Sequence, residues 1–117
     1  MITVEETREK IAADEKWWAI HLMNFVDDFR SSSDPRAIEA PFRQRERKMD
    51  ALVAATVESL CDELGIESPQ WLAQIPECED PWFVSGLERL KAITIVQSPL
   101  RFRMRRIFVL ENFLSRV

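Results

Sequence analysis

The chain has 117 residues, one histidine, two cysteines and a net charge of −4, with 46% of its residues apolar and 31% charged. That length is one domain's worth, and the balance suits a globular protein with a real core, which excludes a disordered chain. No apolar run approaches membrane-spanning length, and the polar start MITVEETREK is unlike a signal peptide, so no membrane association and a cytoplasmic location are expected. Gly65 and Gly86 are the only glycines, while Ala, Leu, Glu and Arg are plentiful. Few glycines and many helix formers point to an all-α fold, a single helical domain over residues 1–117 built as a bundle of two long helices plus shorter C-terminal helices.

Thr3 and Glu6 make a T-x-x-E capping pattern that starts a helix at Val4. Val4, Ile11, Trp18, Leu22, Phe25, Val26 and Phe29 then recur at helical spacing. The spacing predicts one long helix to about Arg30, stopping in Ser31-Ser32-Ser33, with residues 1–16 as an N-terminal extension and a break near Asp14. Ser33-Asp34-Pro35 is the next start signal, and Pro41 limits that element to a short turn. A second long helix is expected from about Phe42 to Leu64, with Met49, Leu52, Val53, Thr56, Val57, Leu60 and Leu64 on one face and Gly65 as its left-handed stop. Arg43, Arg45, Arg47 and Lys48 would then crowd the positive end of its dipole, which favours either an external negative partner or neutralisation by Asp34, Glu39 and Glu46.

Ser68-Pro69 opens a short helix with Trp71, Leu72 and Ile75, and Pro76 to Asp80 form an acidic loop. Asp80-Pro81 and Ser85-x-x-Glu88 both mark helix starts, so a helix from Trp82 or Gly86 to Val96 is expected, burying Phe83, Leu87, Leu90, Ile93 or Thr94, and Val96. After Ser98-Pro99, Leu100, Phe102 and Met104 alternate with Arg101, Arg103 and Arg105, which is strand periodicity. With no partner strand in view, the stretch reads as an extended connector that buries the three apolar side chains. A last helix from Arg106 to Ser115 would bury Ile107, Leu110 and Phe113 or Leu114. Charge is segregated: Arg101, Arg103, Arg105, Arg106 and Arg116 against Glu111 give the last stretch +4, so the remainder carries −8.

Catalytic chemistry finds little footing. Two isolated glycines cannot build a phosphate-cradling loop. His21, the only histidine, reads as a core or boundary residue, and a ribonuclease-type arginine a few residues before it is missing, Lys16 and Trp17 occupying that region. Asp27-Asp28 and Asp62-Glu63 point apart within each pair, so a cation site would need both helices to converge; solvated caps or salt bridges to arginines explain them more simply. One histidine and two distant cysteines lack zinc-ligand spacing. Cys61 reads as a small buried hydrophobe, and the carboxylates around Cys78 should raise its thiol pKa. No catalytic residue, metal or cofactor is therefore assigned. Of Trp17, Trp18, Trp71 and Trp82, most belong to the core and one is expected to be partly exposed at an interface.

The stretches NFVDDFRSSSDPRAIEAP (residues 24–41), SLCDELGIESPQWL (59–72) and PWFVSGLERLKAITIVQSPLRFRMRRIFVLENFLSRV (81–117) resemble a group of bacterial domains carried behind helix-turn-helix regulators and encoded near nucleotidyltransferase-like toxins of the abortive-infection type. The resemblance implies an antitoxin-like or regulatory accessory role with a protein partner, such a toxin among them. No DNA-reading module precedes Trp17, which favours partner binding over transcriptional autoregulation. The expected function is thus non-enzymatic protein interaction through Arg101, Phe102, Arg103, Arg105 and Arg106, with Arg43, Arg45 and Arg47 as a second surface. The alternative is nucleic-acid binding through the same arginines, which pair with phosphates, and the phenylalanine, which stacks on bases. A homodimer is the commonest symmetric assembly and fits the excess of aromatic residues.

Overall fold

The computed structural model describes residues 1–115, so Arg116 lies outside the described residues. Helix α1 (Val4–Ala13) begins at the capping box: the Thr3 hydroxyl accepts from the Glu6 N–H at 3.1 Å, and the Glu6 carboxylate accepts from the Thr3 N–H at 2.7 Å. The chain breaks at Asp14 and passes through a 3₁₀ turn (Glu15–Trp17) into helix α2 (Trp18–Ser32). The expected single long helix is therefore two, and the bend lets α1 pack back on α2 while both touch a third helix. Ser33 ends α2 in the left-handed conformation, φ 50°, its N–H returning to the Phe29 carbonyl at 2.8 Å. Asp34 and Pro35 start only a 3₁₀ turn (Pro35–Ile38), as Pro41 requires.

Helix α3 (Arg47–Leu64) starts five residues later than the sequence suggests. Two contacts hold residues 42–46 out of the helix. Phe42 enters the core, edge-on to Trp71 with ring centroids 5.4 Å apart, and the Arg45 N–H donates to Asp50 Oδ2 at 2.7 Å. Glu46 then caps α3, accepting from the Lys48 and Met49 N–H groups at 3.1 and 2.8 Å. Arg43 and Arg45 consequently precede the helix, and Glu46 offsets the charge of Arg47 and Lys48 in its first turn. Gly65, at φ 68°, provides the left-handed stop.

The C-terminal third departs most from expectation. Trp82–Phe83 is a strand, β1, and Ile107–Phe108 is a strand, β2; the two pair in parallel with Trp82 opposite Ile107 and Phe83 opposite Phe108. Between them come a 3₁₀ turn (Glu88–Leu90), helix α4 (Lys91–Gln97) and helix α5 (Leu100–Met104). Gly86 at φ 68° breaks the helix expected from Trp82 or Gly86, which is left with its last two turns only. The segment after Pro99 is helical, not an extended connector, because Pro99 pre-sets a first turn: the N–H groups of Phe102 and Arg103 both reach the Pro99 carbonyl at 3.1 Å. Phe102 alone points inward, and Leu100 and Met104 face solvent. Arg106 adopts φ 61° and turns the chain into β2, so the helix expected from Arg106 to Ser115 does not form; turns follow β2 instead. Ile107 and Leu114 are nevertheless buried.

The fold is mostly helical, and one continuous core runs through it. Its axis is α3, where every residue from Asp50 to Val57 is buried, so the middle two turns of this helix are covered on all sides. Asp50 is a charge inside that core. It is satisfied by Arg8 of α1, whose Nε donates to Oδ1 at 2.7 Å, and by the Arg45 N–H on Oδ2. Both side chains of the pair are 3% exposed. Asp50→Ala should therefore lower stability by about 3–5 kcal/mol, since it strands the Arg8 charge, and the double variant Arg8→Met, Asp50→Leu should recover most of that. Urea midpoints at constant m-value measure both.

Candidate functional site

The arginines of the last stretch fold against acids and carbonyls of the same chain. Arg105 is buried with each guanidinium nitrogen bonded: Nε donates to Glu58 Oε1 at 2.7 Å, Nη1 to the Ile75 carbonyl at 2.7 Å and Nη2 to the Leu72 carbonyl at 2.9 Å. Its own carbonyl accepts the Cys78 N–H at 3.0 Å. Through its side chain and its carbonyl together, this one residue ties α3, the 3₁₀ turn Gln70–Gln74 and the acidic loop to one another. Arg101 makes two hydrogen bonds to Asp62, at 2.8 and 3.2 Å, and Arg106 donates to the Glu79 carbonyl at 2.8 Å. Phe102 is fully buried, edge-on to Phe113, which removes it from any surface. Of the five C-terminal residues singled out, only Arg103 is exposed with no hydrogen bond or ion pair from its side chain to a described residue.

The second arginine group is divided in the same way. Arg45 Nη2 bonds Glu9 at 2.7 Å and Arg47 Nε bonds the Glu77 carbonyl at 2.6 Å, while Arg43 is exposed and unpaired among the described residues. The two groups approach each other: Arg47, Met104 and Arg105 all line one open groove of about 400 Å³ beside Ile75 and Pro76. The acidic pairs serve structure. Asp28 accepts the Ile2 N–H at 2.8 Å, Asp62 holds Arg101, and Glu63 receives a two-point contact from Arg30 at 2.8 and 2.9 Å. Among the described residues no His, Cys, Asp and Glu side chains group as a metal site. His21 is half-buried, its Nε2 3.1 Å from Asp14 Oδ2.

The feature that sequence reasoning missed lies on α4. Its only buried residue is polar Thr94, whereas Ile93, Ile95 and Val96 are 43%, 49% and 79% exposed. On a helical wheel Ala92 and Val96 mark the centre of the outward face, with Ile93 and Ile95 on its flanks. On α5, Leu100 and Met104 are likewise exposed, at 60% and 57%, with Arg103 on the same helix face one turn from Leu100. Polar anchors hold this inside-out helix in place. Ser98 Oγ accepts the Val109 N–H at 2.8 Å and donates to the Thr94 carbonyl at 2.5 Å, while Lys91 sits 5.3 Å above the Phe83 ring. Phe83 in turn stacks on Phe108 across the strand pair, at 5.0 Å. Of the residues expected inside, Ile93 or Thr94 and Val96, only Thr94 is buried, and Val96 points the other way. Among the tryptophans, Trp17 is the exposed one at 49%.

No protein-family model matches this chain, and no curated protein or solved structure matches it either. No helix among the described residues is long and apolar enough to cross a membrane.

Two outcomes check the arginine assignments. Arg105→Ala should cost about 3 kcal/mol, because it leaves Glu58 half-buried and two carbonyls without donors, and Arg103→Ala should leave stability within about 0.5 kcal/mol of the parent; thermal or urea unfolding separates them. Burial raises the thiol pKa of Cys78, with Glu46 adding to it, and burial likewise raises that of Cys61. Alkylation of both should be slow in the native protein and should become fast only on unfolding, as thiol-reagent kinetics with and without urea would show. The Arg101 hydrogen bonds hold the Asp62 carboxyl below the usual aspartate range. A depressed folded pKa means the pair's contribution is fully present above the ordinary value of about 3.9 and fades as pH falls through the lower folded value. Asp62→Asn should accordingly cost under about 1 kcal/mol at neutral pH, since the pair is solvent-screened, with the difference vanishing toward pH 2 in acid titrations of stability.

Proposed function

We propose that this chain is a non-enzymatic protein-interaction domain of the antitoxin-like, accessory kind, and that its contact surface is the outward apolar face of α4 together with Leu100, Arg103 and Met104 of α5. The carrying observation is the inversion of α4, which buries Thr94 and leaves Ile93, Ile95 and Val96 in water. Leaving a branched aliphatic side chain exposed forgoes roughly 1.5–3 kcal/mol relative to burying it. Contiguous patches of this sort on a folded chain mark places where another surface lands. The rigid anchoring of α4 through Ser98 and Lys91 supports the reading, because a preformed face loses little entropy on docking.

The resemblance to regulator-linked domains supplies the class of partner, a protein encoded beside this one. Direct nucleic-acid binding is the weaker reading: Arg101, Arg105 and Arg106 already bond groups of their own chain, which leaves few cations to neutralise phosphates. The test is capture of the neighbour-encoded protein by the full chain. Val96→Glu should weaken capture at least tenfold with the circular dichroism spectrum unchanged, and Arg103→Glu severalfold. Undiminished capture by Val96→Glu would remove α4 from the contact.

A further inference from the structure

We infer that the cavity between α1 and the start of α3 binds a small primary ammonium with a neutral carbonyl oxygen beside it, the chemistry of an amino-acid amide. This site is separate from the α4 face and does not rest on the reading of that face as a protein contact.

The cavity holds about 200 Å³ and is lined by Arg8 and Ile11 of α1, Glu15 of the 3₁₀ turn that follows, and Glu46 and Met49 at the start of α3. Arg8 is its buried wall, 2% exposed. Only Nε of that guanidinium donates to a described residue, Asp50; Nη1 and Nη2 donate to none. Among the described residues, every side-chain nitrogen and oxygen sealed from solvent has a hydrogen-bond partner. The two Nη groups therefore reach open space, and the open space beside Arg8 is this cavity. A guanidinium carries donors and no acceptor, so the wall calls for an acceptor oxygen.

Charge decides which acceptor fits. The Arg8 charge is already matched by Asp50 at 2.7 Å. The other bases of these segments are turned elsewhere: Arg45 pairs with Glu9, Arg47 bonds the Glu77 carbonyl, and Lys16 and Lys48 lie over the rings of Trp17 and Trp82. Lys10 is exposed two residues along α1 from Arg8, a spacing that puts it on another side of the helix. Two exposed carboxylates stand at the mouth. Glu46 is spent capping α3, and Glu15 bonds no described residue. A carboxylate or phosphate would meet both as like charges. A neutral carbonyl can instead accept from Arg8 while an ammonium on the same molecule pairs with Glu15. Ile11 and Met49 offer apolar walls to an aliphatic chain. At about 30 Å³ for each water, the volume takes roughly six or seven water-sized groups, which suits one amino-acid unit and excludes a nucleotide.

Leucinamide is the probe, titrated into the full chain by calorimetry and by NMR. It should bind saturably with a dissociation constant below about 1 mM, and it should move the Arg8 guanidinium resonances together with the backbone amides of Glu15 and Met49, leaving those of α4 in place. N-Acetylleucinamide, which lacks the ammonium, and isopentylamine, which lacks the carbonyl, should each bind at least tenfold more weakly. Leucine, whose carboxylate adds a negative charge, should bind severalfold more weakly. Glu15→Gln should weaken leucinamide at least tenfold with the thermal midpoint unchanged, since this side chain holds no other part of the fold. Replacing Arg8 would strand Asp50 as well, so its part is read from its own resonances. No saturation at tens of millimolar leucinamide would overturn the inference and leave a cavity that holds water. So would equal binding of the N-acetyl form, a preference for leucine over its amide, binding indifferent to Glu15→Gln, or Arg8 resonances that stay still while leucinamide binds.

Discussion

Helix α3 is the constraint from which the rest of the structure follows. Eight successive residues, Asp50 to Val57, are sealed from solvent on every side, so the remaining chain has to enclose a cylinder. Apolar packing does most of this, with Phe25, Phe29 and Leu22 from α2, Ile11 from α1 and Phe102 from α5 closing around it. The carboxylates that α3 carries decide how the enclosure is registered. Asp50 takes Arg8 from α1, Glu58 takes Arg105 from beyond α5, Asp62 takes Arg101 from α5, and Glu63 takes Arg30 from α2. Each wrapping helix is thus pinned to α3 by a guanidinium as well as by its apolar face. The innermost pairs, at Asp50 and Glu58, matter most for specificity, because a buried carboxylate without its arginine would be strongly unfavourable.

Seen from α3, the segregation of charge along the chain changes meaning. A terminal block of +4 beside a remainder of −8 suggests an end held out for a partner. In three dimensions Arg101, Arg105 and Arg106 lie across the acidic side of α3 and the loop after the turn Gln70–Gln74, and their donors are used there. What remains outward is apolar. Helix α4 sits on the strand pair with its polar residue Thr94 inside and its aliphatic residues outside, an arrangement that costs solvation in an isolated chain and is relieved by any surface laid over it.

Local signals in the sequence hold where local chemistry decides. The capping box at Thr3 and Glu6, the stop at Gly65 and the Asp34-Pro35 start depend on residues within a turn of one another, and each formed where the pattern places it. The break near Asp14 also belongs here. Misreadings gather between Trp82 and Ser115, where elements are two to seven residues long. Alternation over Leu100 to Met104 fits a strand or a single helical turn equally, and the Pro99 carbonyl settled it. The strand pair joins residues 25 positions apart in sequence, a pairing that neither two-residue segment announces. The start of α3 was misplaced because the competing interactions, Phe42 with Trp71 and Arg45 with Asp50, reach across the fold or around a bend.

The sequence by itself determined that this is a mostly helical chain, which residues start α1 and stop α2 and α3, and which apolar residues of α2 and α3 make most of the core; propensity, capping and period act over one or two turns and need no distant neighbour. Only the tertiary structure decided which arginines are free and which apolar face is uncovered. A guanidinium looks the same in the sequence whether its carboxylate lies 42 residues away, as for Arg8 and Asp50, or does not exist, as for Arg103 among the described residues. An apolar helix face looks buried until the elements around it are known to lie on the other side. Those distinctions depend on long-range juxtaposition, and they are what turned a basic terminus into a structural clamp and moved the candidate contact surface to α4.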